Sequence, residues 1–271
     1  MSAAAVTPGE LWTREQLAAL LSRGFSPPAI ARFLLASQRR ASQVRRARPA
    51  LARQARRWMA AGAAGWVALA LAGVEPWRRR QRAGLAWWGA GAVMLDWHLG
   101  MVETPDGRPR PLGPADALTL LRVWLVPVAA DTPAPIVVAV GALTDVLDGV
   151  VARATEPSRL GRDLEGLADA CFAAAALRGA RRRGWLGPGA AVAELARLGV
   201  GFGYALVVYF GTAEAPDARV IRAGRVTAPV RVAGLLAAGR GRRRLADGLV
   251  ISGCALSVAE LAAAAGGSRH G

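Results

Sequence analysis

The chain has 271 residues, 53% of them hydrophobic, and a formal net charge of +16 whose positive side is all arginine; its mean hydropathy is +0.27. That hydropathy is high for a soluble protein, and the length accommodates roughly six to eight membrane helices. Two cysteines far apart, Cys171 and Cys254, exclude a disulfide framework and read as small packing residues. The arginines fall in short clusters between apolar runs, without a nucleic-acid motif, so the charge points to lipid headgroups or phosphorylated substrates and not to nucleic acid.

The opening stretch "MSAAAVTPGELW" has neither the basic start nor the apolar run of a signal peptide, so insertion is expected to rest on later helices. Residues 1–56 read as a polar, amphipathic, Arg-rich helical segment. "TREQ" predicts a helix capped by Thr13 with Gln16 completing a capping box. "SPPAIARFLLASQRR" predicts a second, capped by Ser26 with Pro27 in its first turn and Ile30, Phe33 and Leu34 on its apolar face. The arginine run from Arg39 to Arg57 reads as a solvated or lipid-facing surface.

Residues 57–113 are expected to form one or two extra membrane or interfacial helices and a linker. The candidates are Trp58–Val74 and Ala83–Val102, with Trp77, Trp87 and Trp88 in an interfacial aromatic belt and His98 an interface residue. The Pro/Gly-rich stretch from Glu103 to Pro114 would be the linker. Residues 114–271 then supply six apolar runs: "ALTLLRVWLVPVAA", "PIVVAVGALTDVLDG", "LEGLADACFAAAALRG", the long run from Trp185 to Gly211, "VTAPVRVAGLLAAG" and the run from Leu245. The predicted fold class is all-α, a polytopic membrane helical bundle.

"DVLDGVVARATEPSRLGRDLEGLAD", from Asp145 to Asp169, sets carboxylates among apolar runs, where charge is costly unless it meets a polar interior or water. Asp145 and Asp148 are three apart, Glu165 and Asp169 four apart, so each pair shares a helix face. A short turn would bring the two helices antiparallel and converge four like charges. All-oxygen donors suit a hard cation, Mg²⁺ or Mn²⁺, and two such ions fit a diphosphate and a hydroxyl nucleophile. The plainer alternative is a helix pair with acidic ends matched to nearby arginines. Gly149 and Ala152 permit close approach, and Arg153 and Arg159 suit phosphate oxygens.

This stretch resembles the signature of the CDP-alcohol phosphatidyltransferase family, D-x-x-D-G-x-x-A-R followed by G-x-x-x-D-x-x-x-D. Asp145, Asp148, Gly149, Ala152 and Arg153 match the first half, and Gly161 and Asp169 match the second. Glu165 stands where an aspartate is usual, and the gap between Arg153 and Gly161 is one residue short. Taking Asp163 instead would put Leu167 at the fourth acid position. Leu118, Thr119 and Arg122 are similar to the family's opening helix, with Ala115 in place of asparagine. Gly224, Arg225 and Thr227 loosely match its later G-K-x-K-T segment. The resemblance covers about residues 114–271.

The resemblance implies a six-helix integral membrane core, preceded here by extra N-terminal helices, and a homodimer. It implies transfer of a substituted phosphate from a CDP-linked donor, usually CDP-diacylglycerol, to an alcohol with release of CMP, in phospholipid biosynthesis. Asp145, Asp148, Glu165 and Asp169 would bind the two-metal centre, with Asp169 the general base. Gly149, Ala152 and Arg153 would border the nucleotide. Arg122, Arg159, Arg225 and Arg231 are candidates for phosphate or an acceptor, a phosphorylated one being favoured by the basic charge. The donor places the site on the cytoplasmic face of the cell membrane. The basic links "RGARRRG" and "GRGRRR" then fall outside, against the positive-inside rule. A transporter or lipid-binding scaffold without catalysis is the competing reading.

Overall fold

In the computed structural model, residues 7–104, 106–154, 158–212 and 226–267 are described. Of these, the side chains of Pro8, Ala152, Arg153 and residues 161–163, 209–212 and 262–267 are excepted. Ten α-helices occur among the described residues: α1 (Pro8–Leu21), α2 (Pro27–Ala47), α3 (Pro49–Leu71), α4 (Gln81–His98), α5 (Pro114–Asp131), α6 (Pro135–Ala154), α7 (Arg159–Arg182), α8 (Pro188–Thr212), α9 (Ala228–Gly239) and α10 (Arg243–Gly267). Six begin on proline, whose missing N–H is no loss in a first turn and whose fixed φ suits it. The described residues contain no sheet, only an isolated bridge between Glu103 and Pro109.

The first helix starts earlier than "TREQ" predicts. Thr7 is its N-cap, and the hydroxyl accepts from the Glu10 N–H at 3.4 Å. Thr13 lies inside the helix and donates to the Gly9 carbonyl. Ser26 does precede α2, but without a side-chain capping bond. The arginine run is split between α2 and α3, which meet at Arg48 and Pro49.

The chain divides into two compact units, residues 1–124 with 144–169, and residues 125–143 with 170–271. These cut across the composition boundary expected at 113/114. In the first unit, the core gathers Leu51, Ala52, Met59, Trp88, Leu95, Val102, Leu112 and Leu160. Helices α3 and α4 exchange tryptophan for glycine. A Cβ at Gly84 would lie 2.0 Å from the Trp66 ring, and one at Gly62 would lie 2.3 Å from the Trp88 ring, so only glycine admits these close approaches. Trp66 stacks edge-on against Trp124 at 5.3 Å, and Trp77 lies 5.7 Å from Trp124. Of the belt expected of Trp77, Trp87 and Trp88, Trp88 is packed inside the unit at 6% exposure, whereas Trp77 and Trp87 are half-buried.

Pro127 interrupts the α5 hydrogen-bond ladder, because it has no N–H to offer the Val123 carbonyl one turn back. The Trp87 indole N–H supplies that bond at 2.8 Å. The predicted linker is packed as well: Val102, Glu103, Thr104 and Leu112 are buried, and Gln54 both accepts from the Leu112 N–H and donates to its carbonyl at 2.9 Å.

In the second unit, Leu177, Ala180, Leu186, Ala190, Ala238, Ala246 and Val250 form the core. Small residues set its close contacts: a Cβ at Gly179 would lie 2.2 Å from the Ala129 carbonyl oxygen. Among the described residues one helix segment is long and apolar enough to cross a membrane, Pro188–Val208 of α8, with 21 residues and a mean hydropathy of 1.5. Helices α5 and α6 are interrupted by charge, at Asp116, Arg122 and Asp131 and at Asp145, Asp148 and Arg153.

Candidate metal centre

Helices α6 and α7 bring the acidic signature together within the first unit. One carboxylate oxygen from each of Asp145, Asp148 and Glu165 lies within 4.8 Å of the others. This is the spacing at which one cation could be shared, and among the described residues it is a single cluster. Asp169 joins it through Arg122. The Arg122 guanidinium, on α5 and 1% exposed, donates to Asp145 Oδ1 at 2.9 Å, to Asp148 Oδ2 and to Asp169 Oδ1. One arginine thus faces three carboxylates from two helices.

The burial of these acids is graded. Asp148 is 5% exposed at its side chain, Asp169 33% and Asp145 45%. Asp148 Oδ1 is buried without a hydrogen-bond partner, a costly state for a carboxylate oxygen unless a cation or donor reaches it. That orphaned oxygen and the hard, all-oxygen donor set fit a divalent cation. The arrangement matches a centre able to chelate such an ion.

Other residues singled out by the sequence have different surroundings. Gly149 follows Asp148 on α6, half-buried. The side chains of Ala152, Arg153 and Asp163, and all of Arg225, lie outside the described residues. Arg122 is drawn onto the acids themselves. Arg159, 8% exposed, turns to the N-terminal region: it pairs with Glu10, donates to Thr7 Oγ1 at 2.5 Å and lies 3.9 Å from Glu103.

Arg231 belongs to a cluster in the second unit. Its Nε lies 3.3 Å from Glu194 Oε1, and it donates to Thr227 Oγ1. Arg197 donates to both Glu194 oxygens, at 2.9 and 2.5 Å, and the Cys254 thiol donates to Glu194 Oε2 at 3.0 Å. Asp96 is paired with Arg45, and the His98 ring meets the Met94 carbonyl.

Sequence reasoning missed the roles of Thr7, Glu10 and Glu103 around Arg159, and of Arg122 among the acids. For Thr7 and Glu10 a signal existed: "TPGE" has a cap residue, a proline at the first helical position and a glutamate at the third. A family model described as CDP-alcohol phosphatidyltransferase matches residues 114–259. No curated protein and no solved structure matches the chain.

Proposed function

Because the chain belongs to the CDP-alcohol phosphatidyltransferase family, we propose that it transfers a phosphatidyl group from CDP-diacylglycerol to an alcohol, releasing CMP, in phospholipid biosynthesis. The observation that carries this reading is the convergence of Asp145, Asp148 and Asp169 on the single buried guanidinium of Arg122, with the orphaned Asp148 oxygen beside them.

Asp145, Asp148 and Glu165 would hold Mg²⁺ or Mn²⁺, with Asp169 completing a two-ion centre. When bound, the ions screen the diphosphate and stabilise the departing CMP. Asp169 accepts the proton of the acceptor hydroxyl as its oxygen bonds to the lipid-side phosphorus, while the bond from that phosphorus to the CMP oxygen breaks. Arg122 opposes the mutual repulsion of Asp145, Asp148 and Asp169 by donating hydrogen bonds to all three. Gly149, Ala152 and Arg153 would border the cytidine nucleotide. Arg225 remains a candidate for an anionic acceptor, which the surplus of basic residues favours. Arg122, Arg159 and Arg231, each engaged by carboxylates of this chain, are weaker ones.

The protein is proposed to be a polytopic membrane homodimer with this site facing the cytoplasm, where CDP-linked donors lie. The span in α8 and the apolar runs of the other helices support membrane association.

The test is CMP release by the purified protein with CDP-diacylglycerol, a panel of alcohols including phosphorylated ones, and Mg²⁺ or Mn²⁺. Metal-dependent CMP with at least one alcohol is expected. Folded protein that yields none with any alcohol would leave the transporter or scaffold reading in its place.

A further inference from the structure

The start of α7 is tied down by residues that lie outside the family match. Arg159 is the first residue of that helix, so its N–H has no acceptor within the helix. The Glu103 carbonyl provides one at 3.0 Å. The Arg159 guanidinium then reaches Glu10, Thr7 and Glu103. Thr7 donates its own hydroxyl to Glu103 Oε1 at 2.7 Å while capping α1. Thr7, Glu103 and Arg159 are all less than one-tenth exposed.

The neighbours of Arg159 reinforce this. Ser158 donates to Asp116 Oδ1 at 2.7 Å, and Asp116 accepts from the Gly113 N–H at 2.7 Å. Leu160, 2% exposed, enters the core of the first unit. Three consecutive buried residues thus fasten α7 to the first turn of α1, to the 102–104 segment and to the start of α5.

Glu165 and Asp169 lie six and ten residues along α7, about 9 and 15 Å up its axis and about 100° around it from Arg159. A grip at Arg159 therefore fixes both the height and the rotation of the helix that carries two of the four acids. A rotation of about 10° would move a carboxylate by about 1 Å, enough to spoil a shared cation site.

We propose that Arg159 is a positioning residue: with Thr7, Glu10 and Glu103 it forms a brace through which the N-terminal region sets the geometry of the metal-binding carboxylates. The inference rests on the metal reading of that cluster. It gives residues outside the family match a part in the site, and it takes Arg159 out of the phosphate-binding set.

The test is Mn²⁺ binding to the full chain in nanodiscs, followed by the free-ion electron paramagnetic resonance signal, with thermal unfolding recorded on the same samples. Wild type is expected to bind Mn²⁺, and Asp148→Asn to lose it. Arg159→Met is expected to weaken Mn²⁺ binding by about tenfold, the scale of losing an outer partner that orients ligands. Arg159→Lys is expected to recover part of the loss, since a point charge keeps the pairing without the fork.

Mn²⁺ affinity of folded Arg159→Met within twofold of wild type overturns the inference and leaves the metal reading intact, even if the melting temperature falls. If wild type binds no Mn²⁺, the metal reading fails and takes this inference with it. Should Arg159→Met not fold, Thr7→Val and Glu10→Gln decide: weaker Mn²⁺ binding in either supports the brace, and wild-type affinity in both overturns it.

Discussion

Among the described residues, each compact unit holds a cluster of ionised side chains gathered around a buried group of the opposite sign, and the two clusters differ in which sign is in excess. In the first, one guanidinium, Arg122, faces Asp145, Asp148 and Asp169, with Glu165 beside them. In the second, one carboxylate, Glu194, is held by Arg197 and Arg231. Among the described side chains, the first sets one guanidinium among four carboxylates and leaves a buried Asp148 oxygen without a hydrogen bond. The second sets two guanidiniums around one carboxylate, and both Glu194 oxygens are engaged. Low-dielectric surroundings make such surpluses expensive. An acid surplus calls for a cation from outside the chain, while an arginine surplus suits an anion. A neutral ion-pair network would show neither.

The comparison breaks first if the acids do no chemistry. Asp169→Asn is expected to lower CMP release by about 10³-fold or more, the range of a general base, with helicity and elution volume unchanged. Cys254→Ala, in the other cluster, is expected to stay within a few-fold of wild type. Retained turnover in Asp169→Asn would remove it as the base.

Next in size are the central groups themselves. Arg122→Met leaves the acids without their guanidinium and is expected to cost about 3–5 kcal/mol of stability, the scale for removing one partner of a buried pair. Millimolar Mg²⁺ should return much of the lost melting temperature, because the remaining carboxylates can bind it. Glu194→Gln unbalances the arginines instead. Its destabilisation should be smaller, because the amide oxygen still accepts from them, and Mg²⁺ should return none of it. Equal Mg²⁺ responses in the two variants would show that the surpluses do not differ in kind.

The contrast also explains what the sequence could reveal. Carboxylates three and four apart announce a shared face, because helical periodicity is local; Asp145, Asp148, Glu165 and Asp169 were legible on that ground, as were the apolar runs that became α3 to α10. Arg122 was visible as a match to the family's opening helix and as a candidate for phosphate, but not as the partner of the acids, since nothing local tells which helix it will meet. The contacts of Arg159 were hidden for the same reason. Its partners Thr7, Glu10 and Glu103 lie far away in sequence, across a segment whose proline and glycine content imitates a loose linker. The tryptophans read as an interfacial belt because exposed and buried indoles look alike in sequence. The glycines opposite them, Gly62 and Gly84, were the missed sign of close packing. Thr13 was read as the cap because "TREQ" fits the capping pattern; "TPGE" fits it too, and its proline marks the true start.

The smallest expected effect concerns Glu165. It keeps the charge of the usual aspartate but is one methylene longer, in a chain whose turn before α7 is one residue shorter than the family pattern. Its oxygen nevertheless falls within 4.8 Å of those of Asp145 and Asp148, and we propose that the longer side chain offsets the shorter turn. Glu165→Asp would then retract the ligand without moving the helix. Mn²⁺ affinity and CMP release are expected to fall by about three- to tenfold, well short of the loss from Asp169→Asn, since a displaced ligand still offers its charge. Inserting one residue in the turn of the Glu165→Asp variant should restore part of both. An unchanged or higher affinity in Glu165→Asp alone would show that the glutamate is not fitted to the shortened turn, and that Asp145 and Asp148 of α6 bind the ion without needing its reach.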